Sequence, residues 1–176
     1  MNLANKITVL RILLIPLFIA LILYSKWDLA LVVFIAAAIT DCIDGYIARV
    51  TKHRNELGKI LDPIADKLLI VSAFICLSVV NNLPSSVKPP YYVPIIIISR
   101  DAIIVLGAAI IYFVKGRLEI KPTLLSKVTT FFQMATVISI LLKLEMSPLL
   151  WNIAVVFTLF SGIDYVIKGS RFLNGK

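Results

Sequence analysis

The chain has 176 residues, of which 60% are hydrophobic and 16% charged. So apolar a composition excludes an ordinary soluble domain and indicates a single polytopic helical membrane domain over residues 1–176. Lys and Arg exceed Asp and Glu by 18 to 10, but no basic-aromatic groove or zinc pattern accompanies the excess, so no nucleic acid is expected as a partner.

Apolar runs long enough to cross about 30 Å of hydrocarbon fall near residues 7–25, 29–49, 60–80, 92–114, 124–143 and 148–168. They predict an all-α integral membrane fold, a bundle of six transmembrane helices with no strands. Turn-forming stretches separate them, SKWD at 25–28, NNLPSSVKPP at 81–90 and LEMSP at 144–148. With six spans, thirteen basic residues fall on one side, among them Lys6, Arg49, Lys52, Arg54, Lys115 and Arg171, against three, Lys26, Lys88 and Lys143, on the other. That bias places both termini in the cytoplasm.

The first apolar run has no small-residue cleavage site and reads as a retained span. Asn2 or Asn5 is a capping residue, and Lys6 and Arg11 lie at headgroup level, so a short N-terminal interfacial helix is predicted to lead into the first span. Pro16 is expected to kink that span. Cys42 and Cys76 lie in apolar runs as reduced core residues, without a neighbouring base that would make either a nucleophile.

The second and third spans carry the chemistry. Residues 40–67 read TDCIDGYIARVTKHRNELGKILDPIADK. Asp41 and Asp44 are three apart and Asp62 and Asp66 four apart, so each pair shares one face of its helix. If the helices are neighbours, four carboxylates face one another, and repulsion and desolvation call for protonation or a divalent cation. All-oxygen ligation without thiolates favours Mg2+ or Mn2+ over zinc. Gly45, Ala48 and Gly58 let a ligand or helix approach the backbone, and Arg49 can fork onto a phosphate. The alternative is an ion pathway, or acids paired with Lys59, Lys67 or Arg100 across the bundle.

The pattern DxxDGxxAR, eight residues, then GxxxDxxxD is filled by Asp41, Asp44, Gly45, Ala48, Arg49, Gly58, Asp62 and Asp66. It resembles the signature of the CDP-alcohol phosphotransferases, integral membrane enzymes of phospholipid synthesis. The resemblance implies a CDP-diacylglycerol donor, an alcohol acceptor, CMP as leaving group and a likeness to homodimers. It also implies a pair of divalent ions, Mg2+ or Mn2+, held by Asp41, Asp44, Asp62 and Asp66. Asp66 then serves as the base toward the acceptor hydroxyl, while Asp41, Gly45, Ala48, Arg49 and Gly58 shape the site for the CDP moiety. The expected setting is the bacterial inner membrane, with the active site facing the cytoplasm.

The remaining polar residues are read beside that motif. Lys67 either contacts a diphosphate or balances the acids. Arg100 and Asp101 lie inside the fourth apolar run and must find partners; the intramembrane-charge rule favours Arg100 as a phosphate ligand over a purely internal pair. Ser126, Lys127, Thr129, Thr130 and Gln133 open the fifth helix, where Lys127 suits an anionic acceptor. Arg11 is either an acceptor ligand or a side chain snorkelling to headgroups. Asp164 is expected to pair locally.

The acceptor is read from less. Asn5, Thr8, Arg11 and Pro16 at the start and SGIDYVIKG at the end resemble phosphatidylglycerophosphate synthases, which use glycerol 3-phosphate. ISRDAIIVLGAAIIYF and KPTLLSKVTTFFQ resemble CMP-forming cardiolipin synthases, which use phosphatidylglycerol, and Ala108 stands where the first group commonly has a further arginine. Glycerol 3-phosphate is placed first. A non-catalytic cation-binding transporter is the reading from another class; it would release no CMP.

Overall fold

The computed structural model describes the backbone of residues 3–51, 56–115 and 123–173, and the side chains of residues 10–40, 67–111, 113 and 123–171. Among the described residues every regular element is a helix: α1 (Leu3–Leu23), α2 (Trp27–Thr51), α3 (Glu56–Val79), α4 (Tyr92–Lys115), α5 (Leu124–Leu141) and α6 (Ser147–Leu173). The six elements match the six apolar runs. One expectation changes: no break separates an N-terminal interfacial helix from the first span, because α1 runs continuously from Leu3. No glycine or turn signal interrupts the chain between Leu3 and Pro16, so nothing in the sequence ends a helix there. Pro16 lies inside α1, where its missing N–H removes one backbone bond without ending the helix.

The helix ends have identifiable causes. α1 and α5 both close in a left-handed residue, Ser25 at φ 57° and Lys143 at φ 55°. In each turn an amide reaches back across the end, Lys26 N–H to the Leu21 carbonyl at 2.8 Å and Leu144 N–H to the Ser139 carbonyl at 2.9 Å, satisfying carbonyls that the helix leaves open. α5 begins at Thr123, whose extended backbone and hydroxyl form an N-cap that accepts from Ser126 N–H at 3.2 Å.

The bundle is built in two halves. α1 packs on α2 and α3, and α6 packs on α4 and α5; α3 meets α4 and α5, and α2 meets α5, which joins the halves. Buried Ala30, Ala37 and Ala73 allow close helix approach in the first half. Phe18 and Phe34 meet there with centroids 5.6 Å apart. In the second half Phe132 stacks on Phe157 at 5.0 Å, and buried Gln133 donates to Thr158 at 3.0 Å.

Large apolar side chains also cover the outside, including Leu13, Val32, Ile95, Leu106 and Phe160. An aqueous surface does not tolerate so much exposed hydrocarbon, whereas a bilayer solvates it. α4, α5 and α6 carry stretches long and apolar enough to cross a membrane, Tyr92–Ile111, Leu124–Leu141 and Ser147–Arg171. Among the described residues α1, α2 and α3 contribute shorter apolar segments, Leu10–Leu23, Trp27–Thr40 and Lys67–Val79. The protein is a helical membrane protein.

Candidate functional site

The acid motif is carried on two helices. Asp41, Asp44, Gly45, Ala48 and Arg49 fall in the C-terminal part of α2, and Gly58, Asp62 and Asp66 in the N-terminal half of α3. Their side chains lie outside the described ones, as do residues Lys52, His53 and Arg54 between the helices and Lys121 before α5. The helical backbone at both pairs preserves the spacing on which the carboxylate argument rests.

Directly after Asp66 the described side chains begin with Lys67, and here a polar knot is visible. Lys67 on α3 forms an ion pair with Asp101 on α4. The same oxygen of Asp101 accepts from Arg100 at 2.7 Å. The other terminal nitrogen of Arg100 donates to Ser126 of α5 at 2.7 Å and to Ser161 of α6 at 2.6 Å. Four helices thus meet through one carboxylate and one guanidinium. Arg100 is only 5% exposed, so removing the Asp101 carboxylate would take from a buried guanidinium its counter-charge.

The local sequence explains why these groups converge. The Thr123 cap fixes where α5 starts, and Ser126, Thr130 and Gln133 then follow at a helical repeat on one face. That face, with Lys67, Ile70, Arg100 and Asp101, lines a cavity of about 180 Å³. Across α6, Gly162 gives room to the arginine: a Cβ there would lie 3.4 Å from Arg100 Cγ. The stem of Arg100 also borders an apolar cavity of about 340 Å³ between α4 and α6.

The other expected ligands are placed differently. Arg11 is buried within the first half of the bundle, with 1% of its surface exposed, which does not suit a side chain reaching out to headgroups. Lys127 is exposed and stands apart from the residues lining the Arg100 cavity. Asp164 pairs with Lys168 one helical turn on, at 2.7 Å, as its spacing suggests. Ser161 was not singled out in the sequence; a lone hydroxyl in an apolar helix gives no sign of which neighbour it will meet. Among the described residues no cluster of three or more His, Cys, Asp or Glu occurs, so any multi-carboxylate metal site depends on the acids of α2 and α3.

A family model for CDP-alcohol phosphatidyltransferase matches residues 1–160. The chain belongs to that family. It is 32% identical over 187 residues to a Mycobacterium tuberculosis protein named "Probable phosphatidylglycerophosphate synthase", an alignment covering 99% of this chain and 84% of the relative. It is 34% identical over 191 residues to the Bacillus subtilis CDP-diacylglycerol–glycerol-3-phosphate 3-phosphatidyltransferase, covering 95% and 94%. The human CMP-forming cardiolipin synthase is 34% identical over 152 residues, covering 76% of this chain and 48% of that protein. As a CDP-alcohol phosphatidyltransferase the chain is a transferase of phospholipid synthesis, which sets aside the cation-transporter reading.

Proposed function

We propose that this CDP-alcohol phosphatidyltransferase moves the phosphatidyl group of CDP-diacylglycerol to glycerol 3-phosphate, giving phosphatidylglycerophosphate and CMP. The observation that carries the acceptor is the near full-length similarity to the Bacillus subtilis enzyme, whose name states that acceptor. The second reading is phosphatidylglycerol as acceptor; the human cardiolipin synthase likeness and the absence of a further cation at Ala108 favour it.

The chemistry follows from the residues. The acceptor oxygen forms a bond to the lipid-side phosphorus of the donor, and the bond from that phosphorus to the oxygen of CMP breaks. Asp66 takes the acceptor hydroxyl proton. Arg49, with Gly45, Ala48 and Gly58 beside it, holds the CDP moiety. Asp41, Asp44, Asp62 and Asp66 form a set of hard oxygen donors that fits Mg2+ or Mn2+, and helical backbone at both pairs supports that fit. Two such ions, when bound, would neutralise the donor diphosphate. Arg100 and Lys67, which line one cavity, hold the acceptor phosphate; Arg11 and Lys127, which do not line it, are left without an acceptor role.

Six spans with both termini cytoplasmic put the acid ends of α2 and α3 on the cytoplasmic side of a bacterial inner membrane, where a water-soluble acceptor reaches them. A homodimer is the proposed assembly. The test supplies purified protein in detergent with CDP-diacylglycerol and Mg2+ or Mn2+, offers glycerol 3-phosphate and phosphatidylglycerol separately, and identifies the lipid formed. Phosphatidylglycerophosphate from the first supports the proposal; product only from phosphatidylglycerol replaces it with the second reading.

A further inference from the structure

We infer that Gln133 is a specificity-determining residue for the acceptor: its side-chain carbonyl oxygen accepts a hydrogen bond from the secondary hydroxyl of a glycerol phosphate unit. The inference rests on the reading of the acceptor above and holds for either alcohol. Glycerol 3-phosphate and the headgroup of phosphatidylglycerol both carry a secondary hydroxyl on the carbon between the phosphate ester and the reacting primary alcohol. A residue that reads this hydroxyl separates glycerol acceptors from simpler alcohols.

Glutamine is ordinarily a surface residue, yet Gln133 is only 2% exposed and lines the cavity it shares with Lys67, Arg100 and Asp101. Its amide has a fixed direction. Thr158 donates its hydroxyl proton to the Ala154 carbonyl at 2.6 Å, so toward Gln133 it can only accept, and it accepts from Nε2 at 3.0 Å. Turning the amide over would set two acceptors against each other. Oε1 is therefore the atom left for the cavity. It accepts no hydrogen bond among the described residues, and it is not sealed inside protein as Arg100 Nε is.

The rest of α5 leaves this role to Gln133. Thr130 donates its proton to the Ser126 carbonyl at 3.1 Å, and the Ser126 hydroxyl accepts from Arg100. Ser126 and Gln133 are seven residues apart on α5, which is two helical turns or about 10 Å. The guanidinium and the amide thus mark two ends of one cavity, a cationic end that suits a phosphate and a carbonyl end that suits a hydroxyl donor. α5 also packs against α2 and α3, the two helices that carry the acids. An alcohol without the hydroxyl would leave Oε1 buried and without a donor, and a site built in this way rejects the simpler compound.

The test is steady-state kinetics with matched acceptors. Glycerol 3-phosphate is compared with 3-hydroxypropyl phosphate, which lacks only the secondary hydroxyl; for an enzyme that uses phosphatidylglycerol, that lipid is compared with phosphatidyl-1,3-propanediol. The unsubstituted enzyme should favour the glycerol compound in kcat/KM by about tenfold or more. Gln133→Met, which keeps the length of the side chain, should bring that ratio to within about threefold of unity. The change should come mainly from loss with the glycerol compound, with the donor KM altered by less than about threefold. A purely structural role would lower both acceptors alike and keep the ratio, and that result overturns the inference, as does an unsubstituted enzyme with no preference for the glycerol compound. If Gln133→Met does not fold, Gln133→Asn, which draws the oxygen back by one methylene, must lower the ratio, and an unchanged ratio overturns the inference as well. Failure of the unsubstituted enzyme with both glycerol acceptors is a different result, which defeats the acceptor assignment itself.

Discussion

Arg100 of α4 donates to Ser161 of α6 across 2.6 Å, in a part of the bundle where neither side chain meets solvent. A charge-assisted bond of this kind contributes more than a neutral one, because its loss leaves part of a buried guanidinium unsatisfied. Ser161→Ala should lower stability by about 1–3 kcal/mol, read as a fall in the thermal midpoint of the purified protein. Ser161→Thr, which keeps the hydroxyl, should fall by less.

Gly107 and Tyr165 define a second close contact between the same helices. A Cβ at Gly107 would stand 2.9 Å from Tyr165 Cε1, so a branched side chain there must displace the ring. Gly107→Val should cost about 1–3 kcal/mol by overpacking, and Tyr165→Ala should relieve the clash in the double variant. The Tyr165 hydroxyl is buried without a hydrogen-bond partner among the described residues. Tyr165→Phe, which loses no bond, should leave the thermal midpoint unchanged or raise it.

The helices were legible in the sequence because each coincides with an apolar run, and the turns at 25–28, 81–90 and 144–148 carry proline, asparagine or serine. The Asp164–Lys168 pair was legible too, since a spacing of four on a helix brings its members together. Lys67–Asp101 was not, although both residues had been noted: helical periodicity says which face a residue occupies but not which helix lies opposite. The interfacial helix was predicted from charges near the N-terminus, which report depth in a membrane and not a break in the backbone. The four acids are recognisable through spacing and family likeness.

Asp66 is the proposed base, and its role separates from binding. Asp66→Asn should abolish CMP formation while CDP-diacylglycerol still binds, measured by equilibrium binding of the labelled donor. Retained turnover would remove Asp66 from that role. Arg49→Ala is expected to weaken the donor more than the acceptor, seen as a larger rise in the donor KM.

The orientation is open to direct labelling. In a protein with Cys42 and Cys76 replaced by Ala, a cysteine at Ser85, exposed between α3 and α4, should react with an impermeant maleimide added outside intact cells. A cysteine at Ser170, exposed near the end of α6, should react only after the membrane is opened. The reverse pattern would invert the proposed topology.

The central claim is that four aspartates on α2 and α3 support phosphatidyl transfer through divalent ions. The most direct measurement is CMP release from CDP-diacylglycerol by protein stripped with a chelator, followed as Mg2+ or Mn2+ is restored, for the unsubstituted enzyme and for Asp44→Asn. The account predicts no release without metal, recovery on adding either ion, and a loss in Asp44→Asn that is partly overcome by excess metal. Full release from the stripped protein, or an unchanged metal requirement and rate in Asp44→Asn, would contradict it.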